Sequence, residues 1–278
     1  MPVLSIITPT FNSAPYIREC VQNVAEQQCG QIEHIIVDGG STDGTVAAIK
    51  ELADQYAHIR WVSEKDQGQS DAMNKGIRLA KGAFIGFLNV DDLYEFGLLN
   101  RVASIMQKPH PVPTLLLGKT RQVDEKERVL LIQNPVSLDL EYVIRFWRPM
   151  PFPANPVAYF YHKKLHEIIG EYDIHQHYTM DYDFFLRASP VVHVERFDEI
   201  WGTYRMMPGT KTVEMLKKGG SKKTKEKLFF RYIRRISWEK RYKVWWEYIY
   251  RYKANRLKHR LGGLLYRSKQ YVLRSCLS

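Results

Sequence analysis

Residues 33–45 read Glu33-His34-Ile35-Ile36-Val37-Asp38-Gly39-Gly40-Ser41-Thr42-Asp43-Gly44-Thr45. The apolar run 35–37 predicts a buried strand over Glu33–Asp38, and a helical pattern begins at Thr45. Between them, glycines at 39, 40 and 44 let the backbone approach a ligand, and the helix N-terminus can face an anion. The glycine spacing is not the dinucleotide fingerprint, and no Gly-Lys-Ser/Thr follows to make a P-loop. Asp38, an acid at a strand end, suits hydrogen bonds from a base or sugar better than contact with phosphate. Ser41 and Asp43 are expected chiefly as helix caps.

The same strand–turn–helix unit recurs on both sides. Strands are expected at Val3–Thr8, Ile59–Glu64 and Ala83–Leu88. Helices are expected at Ala14–Gln28, Thr45–Ala57, Ser70–Ala80 and from about 96 to 107. Such alternation predicts an α/β fold with a mostly parallel sheet flanked by helices. These sheets bind ligands beyond the carboxyl ends of their strands. After residue 110 the pattern loosens. Strands at Thr114–Lys119 and Arg128–Ile132 look antiparallel, and Arg148–Pro156 reads as a proline-rich loop. Helices follow at Lys163–Ile169 and Met180–Ala188, then strands at Val191–Phe197 and Trp201–Arg205.

Polar residues cluster where the first four strands end. They are Thr8-Pro9-Thr10-Phe11-Asn12, then Asp38 and its glycines, then Asp66 and Gly68 with Asn74 and Gly76 on the next helix, then Asn89-Val90-Asp91-Asp92. An Asn and a Gly inside one helix oppose helix propensity, so something besides propensity must fix them. Adjacent carboxylates beyond a buried strand repel each other, and a hard divalent cation sharing phosphate ligands would relieve that cost. Taken singly, each cluster could be no more than a capped turn.

The chain has 278 residues, 45% of them apolar and 26% charged, which excludes a disordered chain, a collagen-like repeat and a membrane bundle. Three cysteines without C-x-x-C spacing give no disulfide scaffold or zinc motif and fit a reduced compartment. No signal peptide or transmembrane span is expected, which suggests a cytoplasmic protein. The net charge of +11 is uneven. Residues 211–278 hold 21 Lys and Arg against 4 Asp and Glu, whereas residues 1–210 carry 20 against 26. A globular body over residues 1–216 and a basic, aromatic helical extension over 217–278 follow from that division, the extension helical from about 222 to 273 with a break near Gly262-Gly263.

The four polar segments, in this order and spacing, resemble the inverting family 2 glycosyltransferases, whose nucleotide-sugar-binding domain has the Rossmann-like GT-A fold. The resemblance covers roughly residues 3–211 and is greatest to bacterial enzymes that build surface polysaccharides. It implies that Thr8, Pro9, Thr10 and Asn12 line a nucleotide pocket, that Asp38 contacts the base (commonly uracil), and that Asp66 and Asn74 close the nucleotide and sugar side. Asn89-Val90-Asp91 takes the place of the family's D-x-D motif, so Asp91 would be the ligand through which Mg²⁺ or Mn²⁺ meets the diphosphate. Asn89 would offer the ribose an amide, and Asp92 would stand behind. Met180-Asp181-Tyr182-Asp183 takes the place of the segment that carries the catalytic base, which is assigned to Asp181; Asp183 would orient it or touch the acceptor. Arg205 and Lys211, in the segment like the family's closing loop, would offset phosphate charge. Met180 replaces a Glu and Met207 a His of the family pattern.

The implied reaction is a single displacement. A nucleoside diphosphate leaves the anomeric carbon while a hydroxyl of a saccharide or lipid-linked acceptor attacks from the opposite face. The Pro149–Pro156 loop with Trp147, Phe152, Tyr159 and Phe160 could wall the acceptor site, though core packing is the expectation for most of them. His162, His166, His175 and His177 are expected as surface or packing residues. Aromatics among the cations of the extension suit an anionic membrane surface, on the inner face of the cell membrane, and packing on the body with a solvated basic face suits them nearly as well. No nucleic-acid motif accompanies the charge. Asn89, Met180 and Met207 leave room for a non-catalytic sugar-nucleotide or polysaccharide binder on the same scaffold. A nucleotidyltransferase is disfavoured, because no Gly-rich basic loop follows the first strand.

Overall fold

A computed structural model describes residues 2–153, 155–207, 210, 213–214 and 221–254. The first half is built as the apolar runs require. Strands β1 (Leu4–Thr10), β2 (Ile32–Asp38), β3 (Ile59–Ser63) and β4 (Phe84–Phe87) alternate with helices α1 (Ala14–Ala25), α2 (Thr45–Gln55) and α3 (Gln69–Leu79). Every residue of β1, β2 and β4 is buried, which is why these strands read as continuous apolar stretches rather than as alternation. All four pair in parallel in the order β3-β2-β1-β4. Thr10 therefore lies beside Asp38, and Asp38 beside Ser63, so the polar turns after the strands line up along one sheet edge.

The helices bury one stripe each. In α1, Pro15 sits in the first turn, where its missing N–H leaves no hydrogen bond unmade, and Ile17, Cys20, Val21 and Val24 are buried. In α3, two residues that disfavour helix have structural causes. Gly76 lets the helix lie against β1, since a Cβ there would come 2.3 Å from Ile7 Cγ2. Asn74, 2% exposed, donates from Nδ2 to the Tyr172 carbonyl and accepts from the Tyr172 N–H, both at 2.9 Å.

The second half is mixed. It comprises β5 (Leu93–Tyr94), α4 (Leu98–Met106), β6 (Thr114–Val123), β7 (Val129–Gln133), α5 (Leu140–Val143), β8 (Tyr159–His162), α6 (Leu165–Ile169), α7 (Met180–Ala188) and β9 (His193–Arg205). β8 inserts between β4 and β6, antiparallel to both. β7 is antiparallel to β6 as expected, and β9 runs parallel to β6. The two strands expected over 191–205 are thus one long strand with register shifts against β6. The parallel half carries the polar turns, and the antiparallel strands extend the sheet to nine. β8 was hidden in the sequence because Tyr159-Phe160-Tyr161 directly follows the proline-rich loop. Tyr159 and Phe160 are buried in the core rather than forming an acceptor wall.

Two apolar layers cover the sheet. One joins Ile7, Val37, Met73, Phe87 and Tyr161 to Phe184 and Phe185 of α7; the other joins Leu4, Ile6, Val24, Leu99, Val102 and Trp201. The described part of the basic extension belongs to the first layer. Helices α8 (Lys222–Tyr232) and α9 (Trp238–Glu247), with a π-helical continuation over Tyr248–Lys253, bury Leu228, Phe229, Tyr232, Ile233, Val244 and Tyr248 in it. Glu247 joins them to the body, accepting from Arg145 Nε at 3.2 Å and Arg148 Nη2 at 2.9 Å. The expected break near Gly262-Gly263 lies outside the described residues. Among the described residues, no helix is long and apolar enough to cross a membrane.

Candidate active site

A cleft of about 760 Å³ opens where the carboxyl ends of the parallel strands meet α7. The end of β1 supplies Pro9 and Thr10, the turn after it supplies Phe11 and Asn12, and the turn after β2 supplies Gly39. The turn after β3 supplies Lys65, Asp66 and Gly68, followed by Gln69. Asn89, Val90 and Asp91 come from the turn after β4, and Met180 and Asp181 from the start of α7. Asp91 and Asp181, far apart in sequence, thus face one space.

Asp91 lies in a turn held from behind. The neighbouring Asp92 is fully buried and accepts hydrogen bonds from Asn89 Nδ2 (2.9 Å), Asn155 Nδ2 (2.8 Å) and the Arg205 N–H (3.2 Å). Burial, and then the charge of Asp91, push the Asp92 carboxyl up from its ordinary value. Burial also raises Asp91, against a smaller opposing pull from Arg205. A carboxylate raised by burial gains from a cation brought close to it. Among the described residues no cluster of three His, Cys, Asp or Glu side chains forms a complete cation cage. The donor set fits a hard divalent ion that takes one carboxylate, Asp91, from the protein and its remaining oxygens from phosphate and water.

The nucleotide side is shaped by hydrogen bonds between turns. Asn12 donates its N–H to Ser41 Oγ (2.7 Å) and accepts at Oδ1 from the Thr42 N–H (3.0 Å). Asp43 accepts from the N–H groups of Ala14 and Thr45, so the expected capping roles of Ser41 and Asp43 are realised partly across to the α1 entry. Asp66 accepts from the Gly68 N–H at 2.8 Å and lies against Gly39, where a Cβ would come 2.5 Å from its Oδ2; that close approach explains the glycine. Thr10 Oγ1 is buried at the cleft wall with no hydrogen-bond partner among the described residues.

Several residues expected to touch the donor do not line the cleft. Thr8 is fully buried, its hydroxyl 2.9 Å from His34 Nε2. Asp38 is also buried; it accepts from the Gly40 and Ser41 N–H groups (3.0 Å each), from Ser63 Oγ (2.7 Å) and from Ser41 Oγ. Its carboxylate is used to hold the turn. Asn74 is occupied by the Tyr172 backbone. Arg205 bonds Glu19 with both terminal nitrogens (3.1 and 2.7 Å) and donates from Nε to the Asp91 carbonyl, and so clamps the Asp91 turn to α1. Asp183, expected to orient the base or touch the acceptor, instead bonds Arg187 Nε (2.8 Å) and Tyr232 OH (3.0 Å) and so ties α7 to α8. Lys211 lies outside the described residues.

Other lining residues escaped the sequence reading. Lys65 is the one Lys or Arg among the described lining residues. His177 lines the cleft over Gly68, whose added Cβ would meet its Nδ1 at 3.3 Å. By contrast, His166 is a packing residue as expected, bonded to Tyr161 OH and the Gly170 carbonyl, with burial lowering it to about 4. Asn155 and Pro156 bring the end of the proline-rich loop to the cleft, whereas Phe152 packs on Tyr182 and Phe185. Lys225 of α8 lies over the Phe152 ring at 5.3 Å and feels the charge of Asp181. Met180 Sδ accepts from Ser70 Oγ at 3.1 Å.

Residues 5–168 match the family described as Glycosyl transferase family 2. The chain belongs to glycosyl transferase family 2. The matched region ends before α7, so Asp181 stands outside it. A PGL/p-HBAD biosynthesis glycosyltransferase of Mycobacterium tuberculosis is 35% identical over 191 residues, covering 67% of this chain and 70% of that protein. Among solved structures, the chain resembles Staphylococcus aureus TarS in complex with UDP-GlcNAc, with a TM-score of 0.58 and 20% identity over 77% of this chain and 61% of that one. It also resembles the mannosyltransferase PcManGT of Pyrobaculum calidifontis in complex with GDP-Man and Mn²⁺, with a TM-score of 0.59 and 18% identity over 78% and 61% of the two chains. These likenesses are of fold, and they agree with the glycosyltransferase architecture expected from the strand-end motifs.

Proposed function

We propose that this family 2 glycosyltransferase moves a sugar from a nucleoside-diphosphate donor to a hydroxyl of a saccharide or lipid-linked acceptor, with inversion. The observation that supports this reading most is that one cleft presents Asp91 and Asp181. Pro9, Thr10, Asn12 and Asp66 would bind the nucleotide. Thr8, Asp38 and Asn74 would act from behind, by fixing the turns. A uracil base is favoured by the UDP-GlcNAc complex of TarS, although the GDP-Man complex shows that a fold of this type also accepts guanine nucleotides.

Asp91 would hold Mg²⁺ or Mn²⁺ against the diphosphate, with the Asn89 amide beside it. When bound, the ion supplies Lewis-acid stabilisation of the departing diphosphate. Arg205 would keep the Asp91 turn in place, and Lys65 would add positive charge along the cleft, where an exposed lysine can still follow a moving phosphate. Asp181 would accept the proton of the attacking hydroxyl as it bonds to the anomeric carbon, since a neutral alcohol is a poor nucleophile. A site in the cytoplasm or on the inner face of the membrane is consistent with such donors.

The test is a thermal-shift screen of nucleoside diphosphates with Mn²⁺ present. Stabilisation by UDP that weakens in Asp91→Asn is expected. No stabilisation by any nucleoside diphosphate would remove the basis of the proposal.

A further inference from the structure

The extension packs one face on the body and leaves a different kind of face outside. Along α9 and its π-helical continuation, Trp238, Tyr242, Trp246, Ile249 and Tyr250 are 77, 73, 47, 47 and 57% exposed, while Val244, Glu247 and Tyr248 are buried. The exposed set recurs at three- and four-residue steps, so it forms one stripe along the helix. The Trp246 and Tyr250 rings stack at 4.7 Å. Single exposed apolar residues are ordinary, but a continuous stripe of Trp, Tyr and Ile is not.

Its surroundings are cationic. Residues 221–254 hold twelve Lys and Arg against three Glu. Of those three, Glu247 is buried between Arg145 and Arg148, and Glu226 pairs with Lys253. Arg234, Arg235, Lys243 and Arg251 are exposed. The sequence beyond, residues 255–278, adds six Lys and Arg and no Asp or Glu.

We propose that this stripe docks the protein on an anionic lipid surface. Trp and Tyr rings suit headgroup depth, and flanking cations meet lipid phosphates. The opposite face is held on the body by the Trp147–Tyr248 ring contact at 5.7 Å and the Arg145–Glu247 pair, so the helix presents the stripe from a fixed platform. A second copy of the chain is a poor occupant, because a symmetric contact would bring two strongly cationic faces together. The inference stands on these residues and not on the transferase reading, and it is read without donor or acceptor, so either can fail alone.

The experiment is sedimentation of the full-length protein with vesicles of phosphatidylcholine containing phosphatidylglycerol, against phosphatidylcholine alone, in about 0.1 M salt, where charges are screened beyond roughly 10 Å. Binding to the anionic vesicles only is expected. The triple variant Trp238→Ser, Tyr242→Ser, Trp246→Ser should lose at least tenfold in partitioning, with melting temperature and far-UV circular dichroism retained because these side chains are exposed. Brominated acyl chains should quench tryptophan emission in the parent and not in Trp238→Phe, Trp246→Phe. Failure to sediment with anionic vesicles overturns the proposal. So does a triple variant that binds like the parent, a dimer that the triple variant dissolves, or binding to single-stranded RNA without binding to vesicles.

Discussion

Replacing Asn74 by Ala separates a donor contact from a positioning role. The side chain is 2% exposed and makes two hydrogen bonds of 2.9 Å to the backbone of one residue, Tyr172. Alanine would leave the Tyr172 N–H and carbonyl buried without partners. Each unsatisfied buried group costs roughly 1–3 kcal/mol. Two such groups, less the gain from alanine's better helix propensity of a few tenths, give a loss of about 3 kcal/mol. At roughly 2–4 °C per kcal/mol for a chain of this size, the melting temperature should fall by about 6–12 °C. The segment before α7 would loosen with it, so donor affinity should fall through stability rather than through a lost contact. The assay is thermal unfolding of the variant alongside its donor affinity at a temperature where both proteins are folded. Unchanged melting with a large loss of donor affinity would show that Asn74 touches the donor and that the Tyr172 bonds contribute little.

Other consequences follow from buried charge. Burial would raise the Glu247 carboxyl, but Arg145 and Arg148 outweigh it and hold the group below its ordinary value. Glu247→Ala, which leaves the nearly buried Arg145 with Glu141 as its remaining carboxylate, should cost about 3 kcal/mol in urea unfolding; a loss under about 1 kcal/mol would contradict the anchoring role. His34 is fully buried, and burial, helped by His58, lowers it to about 3 from 6.5. The unfolded chain therefore binds a proton that the folded chain refuses between those values, and stability falls as pH drops through that window. At pH 5 this group alone removes about 2 kcal/mol relative to pH 7. His34→Gln should flatten that part of the pH dependence, and an unchanged slope would refute it.

The parallel half of the fold was legible because strands buried on both faces are continuous apolar runs, and because turns that must be polar interrupt them. The cleft was legible for the same reason: Thr10, Asn12, Asp66, Asn89 and Asp91 all lie at or just past strand ends. The expectations that the cleft lining does not carry share one cause. Thr8, Asp38, Asn74 and Arg205 are polar residues at positions where the sequence offers no partner, so a ligand looked like the reason for them. Their partners are side chains or backbone groups distant in sequence, such as His34, Ser63, Tyr172 and Glu19, which only the fold brings near. Asp183 fell to the same limit, since Tyr232 reaches it from the extension. His177 went the other way. A lone histidine carries no spacing signal, and its place over Gly68 depends on how the loop before α7 folds back on α3. The extension's aromatics divided between core and surface, and spacing alone could not assign the faces until Val244 and Tyr248 were seen to point inward.

The pairing of a diphosphate site at Asp91 with a base at Asp181 is tested most directly in Asp181→Asn, assayed by release of nucleoside diphosphate from a donor sugar nucleotide at saturating concentration, with donor affinity measured in parallel. Donor affinity within about twofold of the parent and turnover lowered by roughly 10²–10⁴-fold are the predicted result. Turnover at the parent rate would contradict it.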